Sequence, residues 1–134
     1  MLSKMENQKS LVKYQKQCER ILSLPEIRFA GIISEMGKLI AGGFKTGIVP
    51  LEDDSERQTL YMELALRVAN RREFDSSMGR VKYSASRREE VVMMSFPLKN
   101  YILMVSAEFS VNIDRLAYKI IKKLDQQWYE FFGK

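Results

Sequence analysis

The sequence predicts an α+β fold in which a single five-stranded antiparallel sheet carries helices on both faces. The first observation behind this prediction is that the hydrophobic period changes along the chain in the order α-β-β-α-β-β-β-α. The second is that two neighbouring strands, 91–96 and 101–107, are apolar almost throughout, which is typical of central strands covered on both faces. The third is that the 134 residues contain no linker, repeat or low-complexity tract, so we expect a single domain over 1–134.

The first element is an amphipathic helix over residues 4–23, within an N-terminal segment 1–24 that ends at Pro25. Apolar residues recur along it at spacings of three and four. They are Leu11, Tyr14, Cys18, Ile21 and Leu22. Cys18 is the single cysteine, so an internal disulfide is excluded, and its place on the apolar stripe predicts a buried structural thiol.

A β-hairpin comes next, and we expect the sheet and the middle helix to occupy residues 27–108. Alternating side chains predict strands over 27–34 and 39–44. The tight turn between them contains Gly37, which can adopt a positive φ. The second strand contains the small residues 41–43, which indicate a close backbone approach, a bulge or a strand end.

The middle helix begins after Asp53 or Asp54, because an aspartate followed three residues later by Glu56 resembles a capping box. Its apolar stripe is wider than a single seam. This width indicates either contacts on two sides, with the sheet below and a partner above, or a deeply buried helix. We expect a partner interface that combines this stripe with the strand that follows the helix. The predicted interface residues are Leu60, Tyr61, Met62, Leu64, Val68 and Tyr83.

The second half of the chain predicts a polar loop over 71–80 and then strands over 81–86, 91–96 and 101–107. A last helix is expected over 113–134, because its apolar residues follow the helical period closely. The aromatic residues near its end either pack against the first helix or form an exposed tip that binds a partner or a membrane surface. These residues are Trp128, Phe131 and Phe132.

The residue types argue against an enzyme. The chain contains no histidine, which excludes Ser-His-Asp and Cys-His catalysis within one chain, and with one cysteine it lacks a ligand set for structural zinc. Gly42 and Gly43 lack the rest of a phosphate-binding loop. Asp53, Asp54 and Glu56 could hold a hard cation, but helix capping accounts for all three. We therefore expect no catalytic residue, no cofactor and no metal.

The net charge of +5 is unevenly distributed, because both terminal helices are basic and the middle helix is acidic. A basic face can attract nucleic acid or anionic lipid. Solvated helix faces are the plainer interpretation, so nucleic acid is not expected as a partner. Arg87 and Arg88 could pair with phosphates or with a partner's carboxylates, although they also fit a solvated hairpin tip.

The cellular location of the protein is predicted from the hydropathy of its sequence. No apolar run approaches the ~18 residues that a membrane-spanning helix needs. The N-terminal residues 1–9 are polar and lack the apolar core of a signal peptide. We therefore expect a cytoplasmic protein with no membrane span.

The element order, together with the stretch from Phe29 to Ala41, resembles the roadblock family of dynein light chains and prokaryotic GTPase regulators. In that stretch a hydrophobic strand leads through an acidic-glycine turn into a strand that ends in small residues. The resemblance implies that the first and last helices lie on one face of the sheet and the middle helix on the other. It also implies homodimers or heterodimers formed through the middle helix and the third strand.

Other families share parts of this pattern. Profilin-like, longin, PAS-like and GAF-like domains have part of the same arrangement. The runs 28–33 and 82–88 are also similar to an uncharacterised archaeal family, which implies no activity.

Our first hypothesis is a non-enzymatic, homodimeric, roadblock-like module that regulates or scaffolds a partner such as a small GTPase. The second is a PAS-like or GAF-like sensor with a small-ligand pocket between the sheet and the middle helix. That pocket would need inward polar groups such as Ser84, Ser95 or Tyr101. The third is association with nucleic acid through the basic terminal helices, and an enzyme that uses only carboxylates and lysines is a weaker fourth.

Overall fold

The computed structural model describes residues 4–124, with side chains described from Gln8 onward. One antiparallel sheet and the predicted order of helices and strands are both present, with a short helical addition after the middle helix. The elements are α1 (Lys4–Leu22), β1 (Ile27–Ser34), β2 (Leu39–Phe44), α2 (Asp54–Arg71), α3 (Asp75–Met78), β3 (Ser84–Arg87), β4 (Val92–Pro97), β5 (Tyr101–Ala107) and α4 (Ile113–Lys123). The predictions for Trp128, Phe131, Phe132 and the end of the last helix lie outside the described residues.

The five strands lie in the order β2-β1-β5-β4-β3, and every neighbouring pair is antiparallel. The last strand returns to pair with the first, so that Gly31 of β1 lies opposite Met104 of β5. This pairing places β5 at the centre of the sheet and leaves β2 and β3 at its two edges.

Helices cover both faces of the sheet. Along β5, Leu103 and Val105 pack in the layer of α1 and α4, whereas Ile102 and Met104 pack in the layer of α2. Since successive side chains of a strand point to opposite faces, a strand buried on both sides must be apolar at nearly every position. The apolar runs that predicted central strands are therefore explained by this two-layer packing.

Two boundaries differ from the prediction. The third strand begins at Ser84 and runs to Arg87, whereas the sequence predicted 81–86. The segment predicted as a polar loop forms a 3₁₀ turn over Arg72–Phe74 and then α3, which ends at Gly79 with a φ of 82°. Its amide donates a hydrogen bond to the carbonyl of Asp75. This segment buries none of its side chains, so it carries no apolar period that a sequence could display.

The β2 edge is capped by a side chain of α1. The Gln15 side-chain oxygen accepts a hydrogen bond of 2.8 Å from the backbone amide of Gly42. Gly42 has a φ of 86°, and a Cβ there would lie 2.9 Å from the sulfur of Cys18. The small residues of β2 therefore allow α1 to approach the strand closely, which is one of the interpretations that the sequence left open.

Candidate interaction surface

The capping box of α2 fixes where this helix begins. The Asp53 carboxylate accepts a hydrogen bond of 2.8 Å from the amide of Glu56, and the Glu56 carboxylate accepts one of 3.1 Å from the amide of Asp53. The two acidic groups also lie at the positive end of the helix. The predicted capping box is confirmed.

The same helix buries one face against the sheet and exposes the other. Tyr61, Leu64 and Val68 are each at most 4% exposed and pack on the sheet of their own protomer. These three side chains are therefore engaged in contacts within the protomer. Met62 remains 50% exposed, while Leu60 is half-buried. The interface as such stays a prediction.

Two side chains of α2, Met62 and Leu66, form what we call its outer face. Leu66, which is not among the predicted interface residues, is 63% exposed and lies one helical turn after Met62. The turn between β1 and β2 abuts this face, because a Cβ at Gly37 would lie only 2.9 Å from the Cα of Met62. The preceding residue in that turn, Met36, is 74% exposed. Leu66 could have been found from its helical phase opposite Leu64.

The end of α2 is joined to the edge strand β3. Nη1 of Arg71 donates a hydrogen bond of 2.6 Å to the hydroxyl of Ser84, the first residue of that strand. Three of the four residues of β3 are exposed. The outer face of α2 and an edge of the sheet therefore belong to the same side of the protomer.

Tyr83, another predicted interface residue, faces the opposite layer. It packs against the cluster between the sheet and the α1–α4 layer, with its ring centroid 5.9 Å from that of Phe96. Its hydroxyl donates a hydrogen bond to the carboxylate of Asp114 in α4. That bond and burial raise the pKa of Tyr83 to about 12. The Tyr83 side chain therefore holds β3 to α4, and its part in an interface stays a prediction.

Arg87 also has an intramolecular role. Nη1 donates a hydrogen bond of 2.6 Å to the carbonyl of Phe109, and Nη2 donates one of 2.8 Å to the carbonyl of Val111. The guanidinium therefore clamps the loop between β5 and α4. Arg88 is exposed in the turn before β4. The structure does not test whether either arginine contacts an anion or a partner, so that role stays a prediction.

A cleft lies between the sheet and the first half of α2. Its empty volume is about 340 Å³, part of which is open solvent. Arg28 and Arg57 hold the preceding loop over it, through hydrogen bonds of 3.2 Å to the carbonyl of Val49 and 3.1 Å to that of Glu52. The Tyr61 hydroxyl in the lining is buried without a hydrogen-bond partner among the described residues, and burial raises its pKa to about 12.

The polar residues named for a ligand sensor do not line this cleft. Ser84 bonds to Arg71, and Ser95 is buried within β4. Tyr101 packs edge-on against Tyr14 of α1, with ring centroids 5.3 Å apart, so it lies on the other face of the sheet. The predicted polar set of the sensor hypothesis is therefore not brought together.

The acidic side chains at the start of α2 are engaged within the helix itself. Asp53 and Glu56 cap α2, and Asp54 forms an ion pair of 2.9 Å with Arg57. The described part of the chain contains no cluster of three or more side chains suited to a metal ion. None of the helices within residues 4–124 is long and apolar enough to cross a bilayer.

Residues 6–134 match a family of unknown function, DUF6659, along nearly the whole chain. The protein belongs to this family. No curated protein matches the DUF6659 chain at a significant level.

Solved structures show what the fold of this DUF6659 protein is similar to. A Roadblock/LC7 domain from Streptomyces avermitilis has a TM-score of 0.61 and 11% identity, over 82% of this chain and 90% of that one. The gliding protein MglB from Thermus thermophilus has a TM-score of 0.65 and 14% identity, over 84% and 86%. Profilin from Schizosaccharomyces pombe has a TM-score of 0.58 and 15% identity, over 90% and 99%. The predicted roadblock-like and profilin-like fold is confirmed.

Proposed function

We propose that this protein is a non-enzymatic, roadblock-like interaction module that works as a homodimer and regulates or scaffolds a protein partner. The observation that carries the proposal is the difference between the two edges of the sheet. The β2 edge is capped by Gln15 of α1, whereas β3 lies at the opposite edge with most of its side chains exposed. An uncapped edge strand is a template for pairing with another chain.

The outer face of α2 supplies the apolar contact that such a dimer needs. β3 has only four residues, so its backbone hydrogen bonds alone would hold two chains weakly. Met62 and Leu66 are large, exposed apolar side chains on the helix that Arg71 joins to this edge. Because they are 50% and 63% exposed, burying the rest of each contributes about 1 to 2 kcal/mol. A two-fold axis between the β3 strands would bring the two outer faces together.

Sedimentation velocity at micromolar concentration tests the dimer. We expect a dimer for the natural sequence and a monomer for the variant Met62→Glu/Leu66→Glu, because a new interface would have to bury four uncompensated carboxylates. Since both positions are exposed, the variant should keep its thermal midpoint within a few degrees. Val49→Glu is the matched control, because Val49 is 79% exposed in the loop before α2 and should leave the dimer intact.

Two results would contradict this assignment. One is a natural protein that sediments as a monomer at every concentration tested. The other is a dimer that survives in the double glutamate variant while the fold is unchanged, because the contact would then lie on another surface.

The partner that we propose is a small GTPase. This part of the proposal is supported by the roadblock-like fold, since the sequence resembles a family that includes prokaryotic GTPase regulators. A purified small GTPase from the same organism should change its rate of GTP hydrolysis or nucleotide exchange when the protein is added. If neither rate changes and no complex forms, the GTPase is the wrong partner, while the dimer remains to be judged by sedimentation.

A further inference from the structure

The outer surface of α1 and α4, which we call the basic face, concentrates the positive charge of the molecule. The two helices pack side by side, and the Gln17 side chain donates a hydrogen bond of 3.1 Å to the carbonyl of Leu124 at the end of α4. Their sequences contain nine basic and three acidic residues. This excess of six positive charges is larger than the net charge of the whole chain, +5.

The cations are arranged in stripes that point outward. In α1 they follow spacings of four, three and four, and all of them are exposed. These residues are Lys9, Lys13, Lys16 and Arg20. In α4 the spacings are four and three, in Arg115, Lys119 and Lys122. Since residues three or four apart share one side of a helix, each helix presents a continuous row of charge, over about 17 Å from Lys9 to Arg20 in α1.

Few carboxylates neutralise these rows. Among the described side chains, Lys9, Lys13 and Lys16 have no ion-pair partner. In α4, Lys119 forms an ion pair of 3.0 Å with Glu26. The Glu19 carboxylate of α1 accepts a hydrogen bond of 3.3 Å from the neutral Gln15 side chain and offsets only one of the positive charges. The row of α1 therefore keeps most of its positive charge.

Around α2 the arrangement of charge is different. Arg57 pairs with Asp54 and Arg67 pairs with Glu63, each at 2.9 Å. The α2 helix, with three acidic and three basic residues, therefore has no excess of positive charge. A ligand that is attracted to the basic face would find no matching surface on α2.

An exposed apolar side chain borders the cations. Val12, which is 54% exposed, comes directly before Lys13 and flanks the lysine row, whereas Leu11 lies on the opposite, apolar stripe of α1. A row of lysines bordered by an exposed aliphatic side chain favours the interface of a lipid bilayer, where the apolar group enters the headgroup region. The phosphate backbone of a nucleic acid would interact with the cations but would gain nothing from an exposed apolar side chain.

We propose that the basic face docks on the surface of an anionic phospholipid bilayer, with α1 lying along the headgroups. The association is peripheral and relies mainly on charge, with Val12 as the apolar side chain at the flank of the row. A single protomer carries the whole basic face, so this docking does not require the dimer. If the β3 strands pair antiparallel in a dimer, both basic faces lie on the same side of the joined sheet, which strengthens binding through two attachments.

Vesicle co-sedimentation tests this docking with the full chain. We expect binding to vesicles of phosphatidylcholine containing about one third phosphatidylserine, and little binding to phosphatidylcholine alone. Binding should fall as salt rises, because the attraction is screened. Replacing Lys9, Lys13 and Lys16 with glutamine should lower the partition coefficient about a hundredfold, since each lysine near an anionic surface is worth about fivefold.

The matched control removes the same charge elsewhere. Lys38, Arg80 and Lys99 are exposed and lie outside α1 and α4, and replacing all three with glutamine should change the partition coefficient far less. Equal losses in the two triple variants would overturn the proposal, because the attraction would then depend on net charge alone. So would the absence of binding to anionic vesicles at low salt, or retention on duplex DNA without vesicle binding. Sedimentation velocity of the variant that lacks Lys9, Lys13 and Lys16 shows separately whether the dimer is still formed.

Discussion

At the scale of single residues, Gly42 shows how closely the first helix approaches the sheet. Its φ of 86° lies in the left-handed region, and a Cβ there would be 2.1 Å from the carbonyl oxygen of Ala30 and 2.9 Å from the sulfur of Cys18. Gly47 has a similar φ of 88°, but nothing lies within 4 Å of a Cβ placed on it. Alanine substitutions at the two glycines therefore distinguish the cost of a left-handed backbone from the cost of steric overlap.

We expect Gly42→Ala to destabilise the protein by about 3 kcal/mol or more, because the overlap adds to the strain. Gly47→Ala should cost only about 1 to 2 kcal/mol, from the left-handed backbone alone. Denaturant unfolding of both variants measures the difference. Equal losses would show that β2 shifts to accept the methyl group and that the close approach has little energetic weight.

The thiol of Cys18 belongs to the same contact. It is fully buried between α1 and the sheet, as its place on the apolar stripe predicted. Burial raises the pKa of this thiol to about 12, so the thiol stays protonated at neutral pH. We therefore assign Cys18 a packing role.

At the scale of elements, α2 shows what a helical stripe can and cannot predict. The apolar stripe of the helix indicated contact with the sheet, but it could not rank the positions. Tyr61, Leu64 and Val68 turned out to face the sheet, whereas Met62 and Leu66 face outward. The phase of a helix relative to a sheet is set by packing partners distant in sequence, which a local pattern does not contain.

The local sequence pattern also did not predict where β3 begins at the edge of the sheet. Val81, Lys82 and Tyr83 alternate like a strand, but the structure assigns β3 only from Ser84 onward. The Tyr83 side chain is instead held by Phe96 and Asp114 in the layer of α1 and α4. At an edge, one neighbouring strand supplies the pairing, so local side-chain contacts decide where pairing begins.

At the scale of the whole molecule, each of the two helical layers that cover the sheet contains a tyrosine whose pKa is raised. The pKa of Tyr61, beneath α2, is raised to about 12 by burial. The pKa of Tyr83 is raised to about 12 by its hydrogen bond to Asp114 and by burial. An unfolded phenol loses its proton near pH 10. Between pH 10 and pH 12 the folded state therefore binds more protons than the unfolded state.

The free energy of unfolding should therefore be unaffected by these groups below pH 10 and should fall as the pH rises from 10 to 12. Denaturant midpoints across this range, recorded with tyrosinate absorbance, measure the loss. Tyr61→Phe should reduce the loss without lowering stability at neutral pH, because the Tyr61 hydroxyl has no partner among the described residues. A midpoint that stays constant to pH 12 would contradict the prediction.

The sequence by itself determined the kinds and order of the elements, the double burial of the central strands, the capping box at Asp53 and the uneven distribution of charge. These properties follow from local propensity and from period, which nearby residues carry. Only the tertiary structure decided that α2 presents Met62 and Leu66 outward, that Arg87 and Tyr83 bind the chain's own loop and helix, and that Gln15 caps one edge of the sheet. The physical reason is that these contacts join residues far apart in the chain, whose meeting depends on how the layers pack.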